Sequence, residues 1–107
     1  MRFVLRFLKP DYHQGLNLTI RNGKKWYNQA PVGSMLDIVK TGSDVVETEA
    51  QLVGSRTLPF LAINEHELYL EHDPLCRDLD GLQHAMERAY PDFKETNEVA
   101  MLFFWVD

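Results

Sequence analysis

The sequence has a single cysteine, Cys76, which excludes an internal disulfide and a cysteine-based metal cluster. Long apolar runs are also missing. The longest stretch, residues 99–106, falls far short of the roughly 18–20 residues needed to cross a bilayer. Residues 1–6 are too short and too interrupted by arginine to serve as a signal peptide. We therefore expect a cytoplasmic protein with no membrane-spanning segment, and we interpret Cys76 as a small buried apolar residue.

Motifs for cofactors and metals are equally scarce. The six glycines stand singly, so no glycine-rich phosphate loop is present, and we expect no nucleotide cofactor. Two of the four histidines, His66 and His72, lie six residues apart. That spacing does not match the i, i+4 pair of a zinc-protease helix. Acidic residues surround both, which is more typical of a solvated loop than of a cation site, and we predict no metal.

Length and composition indicate one ordinary globular domain. A chain of 107 residues leaves no room for two separate cores, so we assign residues 1–107 to a single domain. Hydrophobic residues make up 45% and charged residues 25%, a balance that argues against disorder. Nothing in the sequence indicates oligomerisation, and we take the chain to be a monomer.

The net charge of -5 conceals a strong asymmetry. Residues 1–40 carry seven Lys and Arg against two Asp, or +5, whereas residues 41–107 carry four against fourteen acids, or -10. A protein that coats nucleic acid non-specifically presents a broad basic surface, and this distribution does not favour one. It is compatible with a small polar or anionic ligand, with a short nucleic-acid segment, or simply with two solvated surfaces.

Periodicity predicts a strand-rich α+β domain. The predicted strands are residues 3–8, 16–21, 35–40, 45–53 and 98–106, with a hairpin turn at 41–44 and a loop over 24–34. A helix is predicted at 79–89, with Asp78 as N-cap. Pro59 is expected in a first helical turn, with Thr57 or Leu58 near the cap, and a separate helix is expected near 64–71. The apolar length of 98–106 predicts burial on both faces. These elements favour a small mixed β-barrel of five or six strands with two or three helices.

One strand carries the most informative group of polar side chains. Alternation puts Thr19 and Arg21 on the same face, about 7 Å apart. A guanidinium can grip a phosphate or the edge of a base, and the nearby Trp26 offers a stacking surface. The alternative is that Thr19 and Arg21 face solvent and Trp26 anchors its loop to the core.

The order of these segments resembles the ASCH domains of the PUA-like group, and most closely the small bacterial branch that hydrolyses N4-acetylcytidine. Four segments carry the resemblance: 3–7, with its aromatic-x-x-Arg-Phe opening; 18–21, with Thr-Ile-Arg; 32–39, a Gly-containing turn before an apolar strand; and 79–91, a Leu-x-x-Leu helix ending in Tyr-Pro. Together they span nearly the whole chain, and they imply a PUA-like barrel.

In that branch the resemblance implies a Lys, a Thr and a Glu acting on an acetamide. Thr19 matches the threonine, but Leu16 stands where the family has lysine. The glutamate position falls on Leu75, with Asp73 and Glu71 close by. Leucine can neither donate a hydrogen bond nor carry charge, so this sequence holds an incomplete catalytic set.

The function predicted first is an RNA- or nucleoside-binding domain, with a cleft beside the strand that ends at Arg21. Its ligand-binding residues would be Arg6, Thr19, Arg21, Lys25 and Trp26. The alternative is an enzyme, either an N4-acetylcytidine-type amidohydrolase or a nuclease, with Thr19, Asp73 and Glu71 as catalytic residues. A third reading is an acidic inhibitor or protein-interaction module.

Overall fold

Five strands form one curled sheet in the computed structural model, which describes residues 1–107. The strands are β1 (Arg2–Phe7), β2 (Gly15–Asn22), β3 (Met35–Lys40), β4 (Val46–Pro59) and β5 (Glu98–Val106). Their order across the sheet is β1-β3-β4-β5-β2; β1 pairs with β3 in parallel and the other pairs are antiparallel. The predicted strand-rich α+β architecture is confirmed, and β1 and β2 are its two edge strands.

Two α-helices and three 3₁₀ turns complete the fold. They are α1 (Lys25–Gln29), α2 (Leu79–Ala89) and the turns Phe60–Ala62, Glu65–Leu70 and Pro74–Cys76. The side chain of Asp78 accepts a 2.6 Å hydrogen bond from the Gly81 N–H, which caps α2 as predicted, and Pro91 follows its end. None of the helices is long and apolar enough to cross a membrane.

The sheet buries apolar side chains on both faces. On β5 the even-numbered residues from Ala100 to Val106 join one core with Leu5 and Phe7 of β1. Val99 and Met101 join a second core, which α2 and the 3₁₀ turns cover. The prediction that residues 98–106 are buried on both faces is therefore confirmed, because β5 lies inside the sheet and contributes to both cores.

β4 extends further than the sequence pattern predicted. It continues to Pro59 because a bulge between Leu52 and Gly54 restores its pairing with β5. Gly54 lies against Phe103 of β5 at this bulge, and a Cβ there would make ordinary van der Waals contact with the Phe103 side chain at 3.4 Å. Pro59 accordingly ends a strand, where a first helical turn was predicted, and the 3₁₀ turn begins at Phe60.

The segment predicted to be a loop at 24–34 contains the short helix α1. Its five residues have no side-chain cap and no acid in the first turn, so local sequence does not stabilise it. Trp26 instead packs against the first core and meets the ring of Phe3 edge-on at 6.2 Å. Tertiary packing holds this helix, which explains why periodicity failed to indicate it.

Candidate functional site

A cleft of about 510 Å³ opens beside β2, between the end of β1 and the C-terminal turn of α2. Residues from β2 and from the segment after the second 3₁₀ turn contribute to it as well. The polar residues that line it are Arg6, Lys9, Thr19, Arg21, Thr41, His72, Asp73, Arg88 and Tyr90. Phe7, Leu75 and Met86 are among the apolar ones. The cleft therefore lies where the sequence predicted it, beside the strand that carries Thr19 and Arg21.

Arg21 crosses the gap between the two edge strands. Its Nη1 donates a 2.8 Å hydrogen bond to the carbonyl of Arg6 on β1, and its Nε donates a 3.2 Å bond to Thr19 Oγ1. The guanidinium carbon lies 4.7 Å from the ring centroid of Phe7, a cation–π arrangement. Arg21 thus closes the curled sheet with a side chain where the strands themselves do not pair.

Desolvation lowers the pKa of Arg21 below its ordinary value, and the nearby Tyr90 and Glu71 oppose that shift. Arginine nevertheless remains protonated throughout the physiological range, because its reference pKa is so high. The cleft consequently holds a fixed positive charge whose Nε and Nη1 are already committed to the protein. The rest of the fork can serve a ligand.

Glu71 does not itself line the cleft; it is buried next to the lining residues His72 and Asp73, with only 2% of its surface exposed. It forms a parallel bridge with Leu18 on the free edge of β2, and the neighbouring His72 N–H donates a 2.9 Å hydrogen bond to the Leu18 carbonyl. Burial raises the pKa of Glu71 to about 8, although a backbone hydrogen bond from Asp73 and the charge of Arg21 pull in the other direction. The side chain is therefore a neutral carboxylic acid at pH 7.

His72 packs between Glu71 and the apolar wall of the cleft. Its Nε2 lies 3.0 Å from Glu71 Oε1, and its ring meets Phe7 edge-on with centroids 4.5 Å apart. Burial, followed by the charge of Arg21, lowers the pKa of His72 to about 4. The imidazole is therefore neutral at pH 7, and it makes a hydrogen bond with the acid instead of an ion pair.

The acid and the imidazole each keep one unsatisfied polar atom. Glu71 Oε2 and His72 Nδ1 are buried and have no hydrogen-bond partner. Because Glu71 Oε1 already faces the N–H of Asp73 at 3.4 Å, we assign the acid proton to Oε2 and the imidazole proton to Nε2. A buried donor and a buried acceptor are thus left free under the cleft, and such groups commonly mark functional sites.

Asp73 lines the cleft but is already committed to the backbone. Its Oδ1 accepts a 3.0 Å hydrogen bond from the Leu75 N–H, which caps the 3₁₀ turn Pro74–Cys76. Arg77 Nε donates a 3.0 Å bond to the carbonyl of Glu71 from the same region. These contacts fix the segment that carries Glu71 and His72, so the geometry gives Asp73 a positioning role.

Lys25 and Trp26 do not line the cleft. Both belong to α1, which packs against β4 and β5, and Trp26 is engaged with the first core. The structure thus favours the alternative in which Trp26 anchors its segment. We leave both residues out of the proposed site, while Arg6, Thr19, Arg21 and Asp73 are brought together there.

Leu16, at the family's lysine position, lies away from Thr19. It pairs with Trp105 of β5, and strand alternation puts it on the opposite face of β2 from Thr19. It does not line the cleft, whereas Leu75 does. A lysine at position 16 would therefore project from the face of β2 opposite Thr19. The acid bridged to β2 is Glu71, not a residue at position 75.

Sequence reasoning missed five contributors to this site: Lys9, Thr41, His72 as a cleft residue, Arg88 and Tyr90. The sequence pattern suggested His72 only as a candidate metal ligand. In the structure, no group of three or more His, Cys, Asp or Glu side chains has metal-binding geometry. The signal for Tyr90 was its place just before Pro91, where α2 must end.

Comparisons with known proteins agree on the fold. The sequence matches no known family profile and no curated protein sequence. Among solved structures, an ASCH domain from Lactobacillus crispatus JV V101 superposes with a TM-score of 0.68, at 11% identity, over 98% of this chain and 79% of that one. The hypothetical protein PH0355 superposes with a TM-score of 0.64, at 13% identity, over the whole of both chains. The chain therefore has an ASCH-type, PUA-like fold.

Proposed function

We propose that the protein is an RNA- or nucleoside-binding domain that takes a nucleobase into the cleft beside Arg21. The observation that carries this proposal is the floor of the cleft, where Thr19, Arg21 and His72 present hydroxyl, guanidinium and neutral imidazole groups together. A base edge is a row of neutral donors and acceptors, which such a set can read.

The walls of the cleft suit the flat faces of a base. Phe7, Leu75 and Met86 supply apolar surface, and Tyr90 offers an aromatic ring at the end of α2. Tyr90 can provide the stacking contact that was expected of Trp26. The volume of about 510 Å³ falls within the range of roughly 300–1,000 Å³ typical of small-molecule sites.

Titration calorimetry with the four ribonucleosides and a short single-stranded RNA tests this proposal. Thr19→Val removes the hydroxyl while keeping the side-chain shape, and we expect it to weaken binding about fivefold, since one hydrogen bond near a charged group is lost. Thr48→Val is the matched control, because Thr48 lies on β4 outside the cleft. Absence of binding by all these ligands, or equal effects of the two variants, would refute the proposal.

An amidohydrolase or nuclease is the second candidate, and one observation favours it. Glu71 is a buried acid with a pKa of about 8 beside the strand that carries Thr19, and general acids in enzymes are often tuned in this way. Leu16 argues against the amidohydrolase, because it occupies the family's lysine position and its side chain carries no positive charge.

Incubation of the purified protein with N4-acetylcytidine, and separately with single-stranded RNA, distinguishes these activities by their products. Cytidine or cleaved RNA that disappears in Glu71→Gln, but persists in the exposed Glu87→Gln, would establish an enzyme. If neither product forms at high protein concentration, the binding function alone remains.

A further inference from the structure

The cleft gathers positive charge on a protein that is acidic overall. Four of the 11 Lys and Arg residues line it, namely Arg6, Lys9, Arg21 and Arg88, against one of the 16 acids, Asp73. The two titratable groups at its base add no charge at pH 7, because Glu71 is protonated and His72 is neutral. A cleft lined by one sign of charge concentrates the field and attracts ligands of the opposite sign.

Most of this charge lacks a counter-ion. Of the four cations, Lys9 alone forms an ion pair, with Asp11 at 3.3 Å. Arg6, Arg21 and Arg88 have no carboxylate within 4.0 Å. Neutral base recognition does not need this excess, so the charge calls for an anionic group on the ligand.

The side of the cleft next to β1 is the better place for that anion. Arg6 is the penultimate residue of β1, Lys9 follows two residues after its end, and both line the cleft. The Thr41 N–H donates a 2.8 Å hydrogen bond to the Phe7 carbonyl, which places the Thr41 hydroxyl beside the same strand end. On the opposite wall, Arg88 belongs to the last turn of α2. The free carbonyls of a helix C-terminus carry partial negative charge, which repels an anion and is partly neutralised by a cation such as Arg88.

The β1 side is also held in place by the protein. The Nη1 of Arg6 donates a 3.0 Å hydrogen bond to the carbonyl of Ser43, two residues beyond Thr41, while its own carbonyl accepts the bond from Arg21. Arg6 is therefore fixed between the loop that carries Thr41 and the residue that forms the cleft floor. A group bound by Arg6 and Lys9 would be adjacent to a base that rests on Thr19 and Arg21.

We propose that Arg6, Lys9 and Thr41 form a phosphate subsite, so that the ligand is a phosphorylated nucleoside, either a free mononucleotide or a nucleotide of an RNA chain. This inference rests on the proposed function and specifies its ligand. Arginine and lysine bind phosphate through charge-assisted hydrogen bonds, and a threonine hydroxyl donates one more.

Calorimetry with ribonucleosides, their 5′- and 3′-monophosphates, and a short RNA without terminal phosphates tests the subsite. We expect at least one monophosphate or the RNA to bind about tenfold more tightly than the nucleoside at low salt, a difference that shrinks as salt rises. A preference for monophosphates over the RNA indicates a free nucleotide as the ligand, and the reverse indicates an RNA chain.

The double variant Arg6→Ala/Lys9→Ala should abolish the phosphate preference, so that nucleoside and monophosphate bind it with affinities within about twofold of each other. Lys24→Ala/Lys25→Ala is the matched control, because it removes the same charge from exposed residues outside the cleft and should keep the preference. Thermal melts confirm that both variants are folded.

Equal affinity for nucleoside, monophosphate and RNA would overturn the subsite and leave the proposed function standing. Equal losses in the two double variants would also overturn it, since the effect would then come from overall charge. Failure of every ligand to bind would overturn the proposed function together with the subsite.

Discussion

The guanidinium of Arg21 donates a 2.8 Å hydrogen bond to the carbonyl of Arg6, and this contact joins the two edge strands of the sheet. The same guanidinium forms part of the cleft floor. One side chain therefore contributes to the closure of the barrel and to the site at once, so that stability and binding are coupled at this position.

Replacing Arg21 should destabilise the protein. Arg21→Ala removes the bonds to the Arg6 carbonyl and Thr19 Oγ1 and the contact with the Phe7 ring. Hydrogen bonds that involve a charged group are worth about 1.5–3 kcal/mol, so we expect a loss of that order in the free energy of unfolding. Urea denaturation measures it, with the exposed Lys24→Ala as control. A loss no larger than that of the control would contradict the closing role of Arg21.

Glu71 should make stability fall as the pH rises. Its pKa is about 8 in the folded protein against 4.5 as the ordinary value, so between these pH values the unfolded chain releases a proton that the folded chain keeps. Stability then falls by about 1.4 kcal/mol per pH unit. Glu71→Gln removes this term and should gain stability relative to the unmodified protein across that window. Glu87→Gln, on an exposed position, serves as control, and a constant difference across the window would contradict the prediction.

His72 should act in the opposite sense at lower pH. Its pKa is about 4 in the folded protein against 6.5 ordinarily, so between these values the unfolded chain binds a proton that the folded chain does not. Stability from this group therefore rises with pH and is complete above about 6.5. His72→Asn should lose this dependence, whereas the exposed His84→Asn should keep it. Parallel stability curves for the two variants would refute the assignment.

The two windows overlap, and their effects cancel there. From pH 4.5 to 6.5, folding takes up one proton at Glu71 and loses one at His72, so the pair contributes no net slope. From pH 6.5 to about 8 only Glu71 binds a different number of protons in the folded and unfolded states, so the free energy of unfolding falls with pH there. Denaturation curves of the double variant Glu71→Gln/His72→Asn should show neither effect, and they therefore check both assignments together.

Gly81 should not tolerate alanine although it lies in a helix. A Cβ at this position would come within 2.0 Å of the Leu75 carbonyl oxygen, a backbone atom that cannot swing away. We expect Gly81→Ala to cost about 1–3 kcal/mol, where alanine in an open helix position would stabilise. Thermal denaturation measures the change, with Glu87→Ala as the open-position control. Equal melting temperatures would show that the 3₁₀ turn Pro74–Cys76 shifts freely.

Local sequence patterns predicted most of the fold. Alternating or continuous apolar residues located all five strands, and Asp78 with Pro91 fixed both ends of α2. The failures have tertiary causes. The length of β4 depends on a bulge against Phe103, and α1 exists because Trp26 packs on the core, neither of which leaves a periodic signal.

Only the part of the candidate site that lies on one strand could be predicted from the sequence. Thr19 and Arg21 belong to one strand, so their common face follows from alternation. Glu71 and His72 join them through a bridge to Leu18 that spans more than fifty residues of sequence, and no local pattern indicates that pairing. The loss of charge from both groups depends on burial, which the surrounding acidic sequence gave no reason to expect.

The bridge between Leu18 and Glu71 has a consequence for how molecules of this protein behave toward one another. A bare strand at the margin of a sheet invites pairing with an equivalent strand from another copy, which leads to aggregation. On β2 the Leu18 carbonyl is already taken by His72, and on β1 the Arg6 carbonyl is taken by Arg21. Residues at the cleft therefore also occupy backbone carbonyls on both edge strands, and a strand from another molecule would have to displace Arg21 or His72 before it could pair there.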